Sequence, residues 1–367
     1  MLVRHGPMDV VRAQVLRFRA AQQGLGVTGV VGDDPILDLG VQDTGGPAAA
    51  RWAVALRGRE VADEALIYLW TLRGAPHAYR RSEAAEVVAA VTPYDEADAA
   101  KRVFDAAKPL REAGIAVLEA LQVVAGHLRE IVVRPTVKGE ASSALTGQLP
   151  PPYLRHCRPC DAIHTYEQPF RLATTLAGLE LEPATSPPVL RPIAGWAGPA
   201  AAPPAELDPI RAVLRHLGPA TAQHVAGYLD APVRTVRRRW PDDAVEVTVD
   251  GEVRGVLAAD APLLEDPPPV DGVRLLGAFD PWLQVRDRSL LVADEARRKD
   301  LWPVLGRPGA VLAGTEVVGT WRPRSRGERL QLRVEVWDGG PLPDGIEEQA
   351  ERLAAHRAQS FEGFADA

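Results

Sequence analysis

Apolar residues recur at helical spacing most clearly between residues 209 and 258. Ile210, Val213, Leu214 and Leu217 fall on one face of a helix, which Gly218-Pro219 ends. Thr221 is placed to cap a second helix with Val225, Ala226 and Leu229 as its stripe. Asp230-Ala231-Pro232 turns the chain into a third helix, on which Val233, Val236 and Trp240 face inward. Arg234, Arg237, Arg238 and Arg239 fall mostly off that stripe. Val245, Val247 and Val249 then alternate as a strand, Asp250-Gly251 makes a hairpin turn, and Glu252 to Ala258 returns. Helix, helix, arginine-rich helix and hairpin is the order of a helix-turn-helix followed by a wing, a DNA-binding module. A solvated basic face on an ordinary helical domain gives the same pattern, and winged helices also bind proteins.

Elsewhere the pattern predicts helices over 9–25, 48–56, 62–70, 97–110 and 116–132, and a strand-turn or bent strand over 70–79. Arg134-Pro135-Thr136 is followed by a short helix with Ala144, Leu145 and Leu149, and Pro150-Pro151-Pro152 leads toward a third helix. This outline repeats the 209–258 unit in degenerate form. Pro183 to Pro209 reads as a linker or edge segment. Past Pro269 strands take over. Ala310–Leu312 and Val317–Trp321 make a hairpin around Gly314, and Leu330, Leu332, Val334 and Val336 alternate with polar residues. Ile346 to Phe361 reads as a terminal amphipathic helix. The fold class expected is mainly α with β, as tandem winged-helix (helix-turn-helix) domains plus a small C-terminal β-barrel or sheet. The boundaries expected are 8–125, 126–200, 205–262, 270–340 and a closing helix over 341–367.

Composition narrows the partners. The 367 residues carry a formal charge of −7, which argues against a nonspecific polycation but leaves room for a local basic surface. Arginine outnumbers lysine heavily, and arginine suits bidentate phosphate contacts. The apolar runs are too short for a membrane span and the N-terminus lacks a signal peptide's core, so a cytoplasmic, nucleoid-associated protein is expected. Cys157, Cys160 and His164 form a C-x-x-C-x-x-x-H cluster. A structural zinc needs a fourth ligand, and His156 beside Cys157 is strained for it, so buried reduced cysteines and no metal are expected.

Five ordered segments resemble the winged helix DNA-binding domain family that contains the AlkZ- and YcaQ-type DNA glycosylases. They are LGVQDTGGPAAARWAVALRGR at 39–59, WTLRGAPHAY at 70–79, LRHLGPATAQHVAGYL at 214–229, LLGAFDPWLQVRDRSLL at 275–291 and VLAGTEVVGTWRPR at 311–324. The resemblance implies tandem winged helices and a β-barrel curved around a DNA channel. It implies excision of bulky N-alkylated purines or crosslinks by hydrolysis of the N-glycosidic bond, on double-stranded DNA, by a cofactor-free monomer. In the glycosylases a Gln-x-Gln or Gln-x-Asp motif carries catalysis. Gln42 matches its first position, Thr44 occupies its last, and an aspartate, Asp43, stands one residue early. A carboxylate can deprotonate water, whereas an amide only orients it. Asp43 as base with Gln42 holding the water and Thr44 helping is one expectation; Asp43 and Thr44 capping the helix near Pro47 is the other. Arg73 and His77 match an R-G-x-x-H element, for a phosphate contact, for lining the channel beside the reactive sugar, or for a backbone hydrogen bond of His77. Arg286 and Arg322, with Arg288, Arg324, Arg326 and Arg329, suit phosphate clamping, or a solvated rim with Asp287 and Glu328 as partners. The alternative to an enzyme is a non-catalytic winged-helix DNA-binding protein, a regulator or structural binder.

Overall fold

The computed structural model describes residues 8–26, 35–59, 61–159 and 161–365. The chain divides into two compact units, the first of residues 1–61, 213–224 and 241–367 and the second of 62–212 and 225–240. Helices and strands are mixed throughout.

Unit one holds two sheets. In the smaller, strand Met8–Val10 runs parallel to Ala244–Val249, which pairs antiparallel with Glu252–Leu257. The Asp250-Gly251 turn predicted between them has positive φ at both residues, as a two-residue hairpin of this hand requires. Ala220 adds a single bridge to Gly255 on the far edge. The larger is a curled sheet in the order Val273–Leu276, Gly309–Ala313, Glu316–Arg326, Arg329–Val336 and Ser360–Phe364. Leu330 and Leu332 are buried while Gln331 and Arg333 are exposed, so the predicted alternation holds. Helix Ile346–His356 packs on this sheet through Ile346, Ala350, Leu353 and Ala354. It is shorter than predicted: the chain turns at Ala358, which has positive φ, and Ser360–Phe364 joins the sheet as a parallel edge strand.

Unit two contains the antiparallel pair Leu66–Trp70 and Pro76–Arg80. The helix expected over 62–70 is not there. Leu-Ile-Tyr-Leu-Trp is buried at every position, and a continuous apolar run carries no period by which to tell a buried strand from a buried helix. The helix expected over 97–110 breaks into Glu96–Arg102 and Ala107–Glu112 around Phe104, whose φ is positive. Helix Val117–Ile131 forms as predicted. After it come strand Thr136–Val137, helix Lys138–Thr146, the hairpin Leu154–Cys157 with Ala162–Thr165, helix Glu167–Leu176, and strands Leu179–Leu181 and Val189–Pro192. The third helix thus follows a hairpin that the proline run concealed. Val189–Pro192 lies within the supposed linker and pairs on both sides, in the sheet order Thr136–Val137, Val189–Pro192, Leu179–Leu181, with Leu190 buried. At the other end of the chain, the helix expected over 9–25 forms as Arg12–Gln22, behind the strand already named.

Helices Pro209–Leu217, Ala222–Leu229 and Val233–Arg238 follow in the predicted order. Thr221 Oγ1 accepts the His224 amide at 3.1 Å, the cap that its position foretold. Among the described residues no helix is long and apolar enough to cross a membrane.

Candidate active site

In unit one the chain leaves the two-residue strand Val41–Gln42 extended and then turns at Gly45, with φ near +90°. Extended backbone sends alternate side chains to opposite sides. Gln42 and Thr44 accordingly meet, Gln42 Nε2 donating to Thr44 Oγ1 at 2.7 Å. Asp43 reaches instead to the first turn of helix Ala49–Ala55, where its Oδ1 accepts the Ala50 amide at 2.9 Å. That helix has no side-chain cap at its own boundary residue, so Asp43 supplies one from seven positions upstream. Burial pushes the Asp43 carboxyl above the usual range, against the opposing pull of the Ala50 and Ala49 amides.

A second segment supports this loop. Gln284 Nε2 donates to Gln42 Oε1 and to the Phe279 carbonyl, both at 3.3 Å. With Gln42 Oε1 engaged as acceptor, its amide nitrogen is directed at Thr44. Thr44 Oγ1 then keeps its own proton and a lone pair for a further partner. The ring of Phe279 packs so close to Gly45 that a Cβ there would lie 3.0 Å from it. Arg307 stands 5.1 Å from the centre of the Phe279 ring.

Two buried, ion-paired aspartates fix the segment that carries Phe279 and Gln284. Asp280 accepts from Arg57 at 2.9 and 3.0 Å, and Arg57 also donates to Gln23. Asp287 accepts from Arg19 and Arg254. Asp287 is therefore buried between two guanidiniums, and not a partner in a solvated rim. Sequence reasoning missed Gln284, Arg57, Arg19 and Asp280. The only signal was chemical: two aspartates and a glutamine inside a largely apolar stretch, and arginines within buried helical stripes.

The remaining predicted residues fall in different places. Arg73 and His77 belong to unit two. His77 is buried; its Nδ1 contacts the Ala75 carbonyl at 2.9 Å and Thr71 Oγ1 at 3.1 Å. Burial, with Arg73 nearby, lowers its pKa to about 3, so the ring is neutral. The backbone hydrogen bond expected of His77 is present, to the Ala75 carbonyl. Arg73 has φ near +58°, donates to the Tyr228 carbonyl and stands over the Tyr228 ring at 5.1 Å. Arg234, Arg237, Arg238 and Arg239 are all exposed. Arg238 pairs with Asp95 and Arg239 stacks on Tyr94, while Arg234 and Arg237 extend from the helix with no ion pair among the described residues. In unit one Arg286 is half-buried; Arg322 is exposed and donates to the Gly306 carbonyl at 2.7 Å.

Cys160 lies outside the described residues. Cys157 is half-buried rather than buried, and no metal-binding cluster occurs among the described residues.

The chain is thus a mixed α/β protein with an amide–hydroxyl pair held at a glycine turn and arginines exposed on its surface. The family model for AlkZ-like DNA glycosylases matches residues 36–356. The chain belongs to the AlkZ-like DNA glycosylase family; DNA glycosylase chemistry is its function and DNA its substrate. Among solved structures, the DNA glycosylase AlkZ of Streptomyces sahachiroi superposes with a TM-score of 0.70, at 23% identity, over 98% of this chain and all of that one. At that identity the likeness shows a shared fold. No curated protein sequence matches.

Proposed function

We propose that this chain excises bulky N-alkylated purines from double-stranded DNA as a monomer, with water held by Gln42 and Thr44. The observation that carries the reading is the hydrogen-bonded sequence Gln284, Gln42, Thr44, which leaves the Thr44 hydroxyl to bind a water. Alkylation at N7 places positive charge on the purine, so departure is already favoured. The C1′–N9 electron pair leaves with the base, water oxygen bonds C1′, and the water's proton passes to solvent. An oriented water is enough for such a leaving group, and no strong base is required. Asp43 shapes the loop by capping the helix.

Tandem winged helices are part of the same reading. Residues 117–192 run helix, strand, helix, helix, strand, strand around an inserted hairpin, and residues 209–257 repeat that order with the Ala220 bridge as the first strand. Arg234 and Arg237 on the third helix of the later unit, with Arg322 and Arg286 in the β region, would contact phosphates and position the duplex more than read its sequence.

The test uses duplex DNA carrying 7-methylguanine, the full-length protein, and base release under single turnover. Gln42→Ala should lower release by about 100-fold or more, in the range expected when a water-positioning group is removed. Asp43→Asn keeps a capping oxygen and should stay within about threefold of wild type. If Asp43→Asn abolishes release while the fold is intact, Asp43 is the base; burial's upward pull on its pKa favours that second reading. No release by wild-type protein from any alkylated duplex overturns N-alkylated purines as the substrate class.

A further inference from the structure

Among the described residues, Val304 and Leu305 are the most exposed large apolar side chains, at 96% and 86%. Single exposed apolar residues are ordinary, but an adjacent pair displayed at a loop tip calls for a partner. The loop, residues 301–309, reads Leu-Trp-Pro-Val-Leu-Gly-Arg-Pro-Gly.

This tip is built stiffly. Pro303 and Pro308 restrict the chain on both sides, and Gly306 turns it with positive φ. Arg322 Nη1 clamps the Gly306 carbonyl at 2.7 Å. The root is buried Trp302, whose Nε1 donates to the Leu283 carbonyl at 3.1 Å. Leu283 immediately precedes Gln284, the residue that holds Gln42. From the other flank, Arg307 stacks on Phe279, the ring packed against Gly45. The loop and the Gln42–Thr44 turn therefore share one rigid support within unit one.

The surroundings choose the partner. The loop contains no carboxylate, and Arg288, Arg307 and Arg322 surround it. Apolar side chains ringed by guanidiniums suit the edge of a base stack bordered by phosphates, because arginines hold the backbone while apolar groups replace the stacking between bases. An enzyme that must reach C1′ of a stacked nucleotide needs such a replacement. We propose that Val304 and Leu305 form a wedge that enters the stack of duplex DNA beside the nucleotide presented to Gln42 and Thr44. The proposal rests on the excision reading for the identity of the nucleotide, and on the loop itself for the wedge.

Both side chains are exposed, so Val304→Ser with Leu305→Ser leaves the core intact; circular dichroism confirms it. One duplex carries 2-aminopurine beside a tetrahydrofuran abasic analogue. Binding of wild-type protein should raise 2-aminopurine fluorescence, and the double variant should bind without that rise. A second duplex carries 7-methylguanine. Its release by the double variant should fall by about tenfold or more, while release from the same strand unpaired changes less than about twofold. Fluorescence that stays flat on wild-type binding, or is the same for both proteins, overturns the wedge; so does an equal fall in release from paired and unpaired strands. A fluorescence rise confined to wild type, without release of base from any alkylated duplex, upholds the wedge and overturns the excision reading. Failure of wild type to bind either duplex overturns both.

Discussion

Replacing Asp287 tests the support beneath the Gln42–Thr44 turn with a magnitude that the structure supplies. Its carboxylate lies 2.7 Å from Arg19 Nη2 and 2.5 Å from Arg254 Nη1, and the aspartate side chain is only 6% exposed. Burial alone would raise its pKa, but the two guanidiniums outweigh that cost and hold it at about 2 in place of 3.8. At about 1.36 kcal/mol per pH unit, that gap is worth about 2.5 kcal/mol of folding stability. A depressed carboxylate contributes fully above its unfolded pKa, and the contribution is lost as pH falls through the folded value. The stabilisation therefore stands at pH 7 and disappears between pH 4 and 2. Asp287→Ala removes it and also leaves buried Arg19 without a counter-ion and Arg254 with only the half-exposed Glu252, for a total of about 3–5 kcal/mol. Urea unfolding followed by circular dichroism, at pH 7 and again below pH 3, measures both effects. A loss under about 1 kcal/mol at pH 7 refutes the reasoning, as does a wild-type-to-variant gap that stays constant on acidification.

Gly45→Ala should cost about 1–3 kcal/mol in unfolding experiments and lower kcat more than KM, because φ near +90° disfavours a side chain and Phe279 lies 3.0 Å from the new Cβ. Gly46→Ala meets only the mobile end of Arg357 and should be milder. His77, with a pKa near 3, should stay neutral from pH 5 to 8 by nitrogen chemical shift, and the folded state should weaken as pH falls below about 6.5, where the unfolded chain takes up the proton; a midpoint near 6 in the folded protein contradicts this burial. Arg234→Ala with Arg237→Ala should reduce the slope of log affinity against log salt by about 1.8, close to 0.9 for each phosphate no longer neutralised, and an unchanged slope removes this helix from the DNA interface.

Local chemistry was legible wherever one face of an element is wet. The 209–258 helices, the Asp250-Gly251 turn and the strand through Leu330 and Leu332 all came from periodicity and turn residues. Periodicity failed where burial is complete on all sides, as in Leu66–Trp70, and where a single positive φ interrupts a good helical pattern, as at Phe104. It failed again at the terminus, where Ser360–Phe364 becomes a strand only because Arg329–Val336 offers it an edge. Of the site, Gln42, Asp43 and Thr44 were visible through the family resemblance. Their partners were not: Gln284 lies 242 positions from Gln42, and a pairing across that separation leaves no period in the sequence.

The position of Asp43 bears on what the reaction can demand of its substrate. Each carboxylate that supports the turn is committed to holding structure: Asp43 to the Ala50 amide, Asp280 to Arg57, and Asp287 to Arg19 and Arg254. On the proposed reading the groups that hold the water, Gln42 and Thr44, orient it but take no proton at neutral pH. On the proposed reading the driving force must then come from the leaving group. A purine made cationic by N7 or N3 alkylation supplies it, whereas a neutral base would need the protonation that this turn does not provide. On that reading, the threonine in place of a carboxylate or second amide narrows the substrates to those whose glycosidic bond is already weakened, and leaves the choice among them to the DNA-contacting surface.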